Sequence, residues 1–287
     1  MSDAALLQLT MIVPCRDEQG AVGDVVTALR GATTQPCIEV LVVDDGSRDG
    51  SAAIVAQLDG VKVLRHDVSR GYGAAIKSGL RAVTTPWVGI IDADGTYPAD
   101  RLSELLQLTP DADMIVAARQ PQGAARLDYR RPFRDLYRRY GSWLVGQPVA
   151  DLNSGFRLFR RELAMDIADL LPDGFSLTST LTIALMRAGH RVKFVPMPYA
   201  PRVGRSKINP LIDWLRFVQL IVRTGLYFAP WRVFGPPVVL AWLIFAACLA
   251  YDGLLLRDLT DKSLLSAVVA VGVTLLAVLA DVAGKRR

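Results

Sequence analysis

The segment D-A-D-G-T-Y-P at 92–98 follows directly on the apolar run W-V-G-I-I. Two carboxylates one residue apart, Asp92 and Asp94, at the end of a buried strand can hold a hard divalent cation beside a diphosphate. Mg2+ or Mn2+ takes one or two carboxylates, completes its shell with phosphate oxygens and water, and neutralises charge developing on a departing diphosphate. Alone, the spacing is common in turns; its position at a strand end is what marks it here. A second acidic run, V-V-D-D-G-S-R-D-G at 42–50, places Asp45 where a carboxylate can accept hydrogen bonds from a nucleobase or ribose. The same run can equally form an Asx turn in which Ser47 or Asp49 caps the next helix. In I-V-P-C-R-D-E at 12–18, Pro14 fixes a turn and Glu18 is in reach of a base or ribose. R-G-Y-G-A-A-I-K-S-G at 70–79 opens a helix with small residues but lacks the G-K-[ST] ending of a phosphate loop.

These clusters need elements to position them. Short apolar runs predict strands at Leu9–Pro14, Ile38–Asp44, Val61–Arg65, Trp87–Asp92 and Asp113–Ala118, with helical patterns around 20–32, 49–58, 71–84 and 99–107. Continuously apolar strands alternating with helices imply a mostly parallel, doubly wound α/β sheet, Rossmann-like in arrangement. Ligands bind such sheets at the carboxyl ends of strands, where all three acidic clusters fall. His66 and His190 are isolated in sequence, which argues against a histidine metal site or triad. Cys15, Cys37 and Cys248 form no C-x-x-C and point to a reducing compartment without disulfides. No zinc-ligand spacing, helix-turn-helix or RNA-binding motif is present, so nucleic acid is not the expected partner.

The 287 residues are 51% hydrophobic with a net charge of +5, and the apolar excess gathers after residue 230. The stretch from Val233 to Leu256 carries one charge, Asp252. A second, from Leu264 to Ala280 and on to about 282, carries none before Asp281. Each is long enough to cross about 30 Å of hydrocarbon as a helix. Arg216, Arg223 and Arg232 before the pair, and Gly284–Arg287 after it, place both ends of the hairpin in the cytoplasm by the positive-inside rule. The N-terminus has no signal-peptide pattern, and the expected location is the inner cell membrane, multi-pass, with the catalytic part cytoplasmic. Pro210–Ala229, with Trp214, Phe217, Tyr227 and Phe228 among Asp213, Arg216 and Arg223, has the composition of a helix lying in the membrane interface. Residues 130–145, mixing arginines with Phe133, Leu136, Tyr137, Trp143 and Leu144, read either as a second such helix or as an ordinary surface helix. The organisation is therefore 1–207, a 208–232 interfacial region, and a 233–287 hairpin, with spans at about 233–256 and 264–282.

The four motifs, in this order and spacing, resemble family 2 glycosyltransferases of the GT-A fold. D-L-N-S-G-F-R-L-F-R-R at 151–161 and R-V-G-R-S-K at 202–207 resemble the polyprenyl-phosphate branch, similar to dolichol-phosphate mannose synthases. The resemblance implies that Pro14, Arg16, Glu18 and Asp45 line a nucleoside pocket. It implies that Asp92 and Asp94 bracket diphosphate and metal, with Asp94 the direct ligand, and that Arg202, Ser206 and Lys207 close over the phosphates. Arg119 matches the arginine of a G-S-R-like motif, here A-A-R, that contacts a lipid phosphate; one or more of Arg130, Arg131 and Arg134 would share that duty.

Where many inverting relatives carry an acidic general base, this chain reads F-S-L-T-S-T-L-T, leaving Asp151 as the nearest carboxylate. A sugar hydroxyl needs a base to attack. A phosphate monoester, with a second pKa of about 6, does not. The implied reaction is inverting transfer of a hexosyl group from a nucleoside diphosphate sugar, UDP-hexose before GDP-mannose, to polyprenyl phosphate at a bilayer, by an enzyme that could form a homo-oligomer. Transfer to a glycolipid or protein hydroxyl, and a non-catalytic membrane subunit, are the alternatives.

Overall fold

The computed structural model describes residues 8–32, 38–121, 131–200, 225–256 and 258–285, with backbone alone at 121, 131–134 and 284–285. The chain divides into two compact units, Met1–Lys207 and Ile208–Arg287.

The first unit is a mixed seven-stranded sheet in the order β3-β2-β1-β4-β6-β5-β7. Strands β1 (Leu9–Cys15), β2 (Ile38–Asp44), β3 (Val61–Arg65) and β4 (Trp87–Ile90) run parallel. Helices α1 (Val22–Gly31), α2 (Ser51–Ala56) and α3 (Tyr72–Ala82) make the crossovers. After α4 (Leu102–Leu106), β5 (Met114–Pro121) leads through α5 (Arg131–Val145) into β6 (Arg157–Arg160). β6 is antiparallel to both β4 and β5. α6 (Arg161–Asp166) and α7 (Leu177–Arg187) then precede β7 (Val192–Tyr199), which pairs parallel with β5 at the sheet edge.

All seven residues of β1 are buried, because the sheet is covered on both faces. Leu9, Met11 and Val13 point to the layer built by Val22, Val26 and Leu29 of α1 and Leu102 and Leu105 of α4. Ile12, one residue out of phase, points with Leu41 and Val43 to Ile76 and Leu80 of α3 and Leu177 and Leu181 of α7. Full burial of each such side chain stabilises the fold by about 1.5–3 kcal/mol. Four predicted strands and all four predicted helical stretches recur with shifts of a few residues, and the fifth strand extends to Pro121. The prediction omitted β6 and β7. Arg119 lies within β5 rather than after it.

In the second unit α8 (Pro230–Tyr251) passes through a π turn, Asp252–Leu256, and α9 spans Asp261–Lys285. Pro230–Leu256 and Asp261–Ala283, of mean hydropathy 2.2 and 2.5, are long and apolar enough to cross a membrane. Both helices start earlier than expected. Pro230 occupies a helix start, where its missing N–H costs nothing. Asp252 receives hydrogen bonds from Thr260 N (2.8 Å), Thr260 Oγ1 (2.8 Å) and Ser263 Oγ (2.6 Å), so the one acid of the first apolar run secures the start of the second helix. Trp242 Nε1 donates to Thr274 Oγ1 between the helices (3.1 Å). The interfacial stretch Pro210–Ala229 lies outside the described residues up to 224.

Candidate active site

The register of β1 on β2 sets Cys15 beside Asp44, so the loops after the two strands meet. They are joined by hydrogen bonds from Asp17 N to Ser47 Oγ (3.0 Å), Glu18 N to Ser51 Oγ (2.8 Å), Gln19 N to Asp49 Oδ2 (3.1 Å) and Arg48 N to Asp17 Oδ1 (2.8 Å). Asp17 is held at φ 53°, a left-handed conformation unusual outside glycine. Asp49 also accepts from Ser51 N (2.9 Å), but the N-cap of α2 is Gly50 with no side-chain cap, so neither Ser47 nor Asp49 fills that position. Beside these loops is a cleft lined by Arg16, Gly46, Ser47, Arg48, Arg65, Asp67, Val68 and Ser69. Arg16 is therefore at the cleft. Pro14 is a buried residue within β1 itself.

Asp45 is 3% exposed and faces inward. Its carboxylate accepts from Ser69 Oγ (2.7 Å), Arg70 N (2.8 Å) and Gly71 N (2.9 Å), and lies 2.7 Å from His66 Nδ1. Burial alone would raise this carboxyl; the hydrogen bonds outweigh it and hold it below its usual range. His66, isolated in sequence, is thus brought to Asp45, with Ser78 Oγ 2.9 Å from its Nε2. The order Asp–His–Ser is that of a nucleophilic triad, but the imidazole is buried and Ser78 lies within α3, so the three brace the 66–71 loop.

That loop delivers Tyr72 to the strand-end carboxylates. Tyr72 Oη donates to Asp92 Oδ1 (2.8 Å), and its ring stacks on the exposed Phe175 at 5.2 Å between centroids. A Cβ on Gly155 would meet Asp92 Oδ2 at 2.0 Å, so only glycine lets the 151–155 turn approach this carboxylate. Gly155 N donates to Tyr97 Oη (2.8 Å). Asp94 accepts from Thr96 N (3.2 Å) and Thr96 Oγ1 (2.7 Å). Burial and the neighbouring Asp94 charge raise Asp92 to about 6. Two carboxylates crowded in this way suit a divalent cation that takes the rest of its shell from phosphate and water. Among the described residues no cluster of three or more ligating side chains occurs.

Beyond Gly155, the Arg119 guanidinium grips Asp151 with both arms, Nε to Oδ2 at 2.7 Å and Nη2 to Oδ1 at 2.9 Å. Arg119 also stands over the Tyr199 ring, 5.5 Å from its centroid. Burial favours a raised Asp151 pKa, but Arg119 and the backbone N–H groups of Arg119 and Asn153 hold it below the ordinary carboxylate range. The fallback base is therefore a firmly ionised partner of the arginine. Sequence reasoning missed Arg157, a fully buried cation on β6. It donates to Ser154 O (3.1 Å), Leu152 O (3.4 Å), Thr178 O (2.7 Å) and Thr182 Oγ1 (3.0 Å), tying the 151–155 turn to α7. Its signal was an arginine inside the apolar strand G-F-R-L-F. Of the remaining candidates, Arg130, Arg202, Ser206 and Lys207 lie outside the described residues, and Arg131 and Arg134 are described by backbone alone, in α5.

Residues 10–168 match the sequence model of glycosyl transferase family 2. The chain is 29% identical to a dolichyl-phosphate hexose transferase of Haloferax volcanii, covering 79% of this chain and 97% of that protein. It is 30% identical to a polyprenol monophosphomannose synthase of Mycolicibacterium smegmatis, covering 69% and 80%. Its fold resembles glucosyl-3-phosphoglycerate synthase from Mycobacterium tuberculosis, solved with Mn2+, UDP and glucosyl-3-phosphoglycerate, with a TM-score of 0.58, 19% identity and coverage of 76% and 78%.

Proposed function

The chain belongs to glycosyl transferase family 2, and we propose that it transfers one hexosyl group, with inversion, from a nucleoside diphosphate sugar to polyprenyl phosphate. UDP-hexose is the favoured donor and GDP-mannose the next. The observation that carries the acceptor assignment is the Arg119–Asp151 pair. It presents a fixed cation with N–H groups to spare, and it removes Asp151 from service as a base. An ionised phosphate monoester needs the cation and not the base.

In this reading the cleft beside Arg16 takes the nucleoside, with Glu18 near it, while Asp45 shapes the cleft wall through the 66–71 loop. Asp94, with Asp92, would hold Mg2+ or Mn2+, which neutralises charge on the leaving diphosphate. Tyr72 and Gly155 fix the Asp92 carboxylate in place. Arg119, with Arg130, Arg131 or Arg134, holds the acceptor phosphate. One of its oxygens forms the new bond to the anomeric carbon as the bond from that carbon to the diphosphate oxygen breaks. The electron pair leaves with the nucleoside diphosphate, and no proton need be removed from a dianionic acceptor. Arg202 and Lys207, with Ser206, complete the charge stabilisation. The 1–207 part is the catalytic domain and 208–232 the interfacial region. Residues 233–287 cross the inner membrane twice, with both termini cytoplasmic.

The test is a donor screen on membranes holding the chain, with added undecaprenyl phosphate and Mg2+ or Mn2+, read by mass spectrometry of the lipid. A hexosyl-phospholipid from one nucleotide sugar is the expected product. Product formed only on a hydroxyl acceptor would overturn the assignment.

A further inference from the structure

Among the described residues of the first unit the most exposed large apolar side chain is Phe175, 79% exposed just ahead of α7. It belongs to neither core layer. One face of its ring is taken, stacked on Tyr72 at 5.2 Å between centroids and 20° from parallel. The chain that brings it there is clamped to the start of α3. Gly73 N and Ala74 N donate to Asp173 O (2.8 and 3.1 Å), Lys77 Nζ donates to Leu171 O (3.0 Å), and Lys77 pairs with the Asp173 carboxylate. A Cβ on Gly71 would meet Asp173 O at 2.6 Å and one on Gly73 would meet Pro172 O at 2.1 Å, so this approach requires glycine at both positions. On the other side, Phe175 O accepts from Thr178 Oγ1 (3.4 Å), and Ser179 Oγ donates to Asn153 Oδ1 (2.7 Å), which binds the first turn of α7 to the 151–155 turn. Phe175 thus stands between two half-sites: Tyr72, whose hydroxyl holds Asp92, and the turn whose Asp151 holds Arg119.

We propose that the open face of Phe175 packs against the first isoprene unit of the acceptor, the hydrocarbon that begins at the phosphate held by Arg119. This deepens the acceptor assignment and rests on it. A phenylalanine ring offers no polar atom, and taking it out of water is favourable in proportion to the apolar area covered. Its natural occupant is therefore hydrocarbon. The hexosyl ring is a poorer one. It hangs from the diphosphate at Asp92 and Asp94, and Phe175 lies one ring farther from Asp92 than Tyr72 does. Its hydroxyls would also be turned to a side chain that cannot bond them, at a cost in desolvation. The first carbons of a prenyl chain carry no such cost, and they start one bond beyond a phosphate oxygen. The contact makes Phe175 a specificity residue: it favours a prenyl phosphate over a phosphate ester of a polar alcohol, which Arg119 alone would not distinguish.

The experiment uses the full chain in detergent micelles with Mg2+, with UDP-glucose and GDP-mannose as donors in parallel and undecaprenyl phosphate as acceptor. F175A should raise KM for undecaprenyl phosphate at least about tenfold and leave donor KM within about twofold, and F175L should restore most of the loss. Geranyl phosphate, a short water-soluble prenyl phosphate, should inhibit F175A at least about tenfold less well than wild type, while glycerol 3-phosphate should inhibit both alike. Equal losses for the two competitors would overturn the proposal, because Phe175 would then act by propping Tyr72 and Asp92. A raised donor KM beside an unchanged acceptor KM would assign the ring to the hexose and overturn it too. Contact is read separately from transfer. With p-benzoylphenylalanine replacing Phe175, ultraviolet light should crosslink the chain to undecaprenyl phosphate, with geranyl phosphate competing and glycerol 3-phosphate not. Absence of that crosslink rules the proposal out. A crosslink in a chain that transfers hexose only to a hydroxyl acceptor would uphold the hydrocarbon contact and refute the acceptor assignment instead.

Discussion

Replacing Asp151 by asparagine separates the two chemistries open to this site. The carboxylate is gripped by Nε and Nη2 of Arg119 at 2.7 and 2.9 Å, with side-chain exposures of 10% and 25%. Hydrogen bonds to charged groups contribute about 1.5–3 kcal/mol each. Asparagine keeps one acceptor oxygen and loses the charge, so D151N should cost about 1.5–3 kcal/mol of stability and leave Arg119 less well aimed. Its effect on kcat should stay within about tenfold, or 1.4 kcal/mol of barrier. A general base is worth 10²–10⁴-fold. Arg119→Ala removes the phosphate contact itself, and the same 1.5–3 kcal/mol corresponds to a rise of about 10–150-fold in KM for polyprenyl phosphate. Nucleotide affinity should be nearly unchanged. The assay is initial rate against each substrate in turn, with thermal unfolding to confirm folding. The stability arm also carries a pH sign. Asp151 has a folded-state pKa below its unfolded one, so the pair's contribution is present above about pH 4 and is lost as pH falls below it. The difference in stability between wild type and D151N should shrink in that window. A folded D151N with normal substrate affinities and a rate down more than about 10³-fold, beside a normal Arg119→Ala, would refute the phosphate-acceptor reasoning.

Three further outcomes are expected. Asp94→Ala should fold normally and keep less than about a tenth of wild-type turnover; a smaller loss removes Asp94 from the metal site. Asp92→Asn should also be inactive, yet it should stabilise the metal-free protein at pH 7. Its carboxyl, raised to about 6 by burial and by Asp94, is harder to ionise folded than unfolded, so it costs nothing below about pH 4 and about 1–3 kcal/mol above pH 6. Calorimetry at pH 4 and pH 7 should show the gain only at pH 7, and a gain at both would mean a packing effect. For topology, cysteines at Asp258 or Thr260 should react with an impermeant maleimide in intact cells, whereas labelling at Lys285 would invert the orientation.

How much of this was legible in the sequence depends on what signal each residue leaves. Parallel strands buried on both faces leave unbroken apolar runs, and β1, β2 and β4 were read from them together with the carboxylates at their ends. β6 leaves almost none, because R-L-F-R is four residues long with an arginine at each end. β7 contains Pro196 and Pro198, which normally argue against a strand. At the edge of the sheet among the described residues, paired there with β5 alone, it needs no donors on its outer side. The partners of Asp45 and Asp151 were hidden for a related reason. A carboxylate near a strand end looks the same in sequence whether it faces a ligand or the protein, and long-range neighbours decide between them. Asp45 is taken up by a loop more than twenty residues on, and Asp151 by an arginine thirty-two residues earlier. Asp45 is thus bonded to the loop beside the cleft, and Asp151 to Arg119. Arg157 extends the same logic, a cation with no access to solvent whose hydrogen bonds fix the turn between Asp151 and Gly155. Among the described residues Arg16 lines the cleft, while Asp45 and Arg157 are buried charges behind it that only the fold brings to their partners.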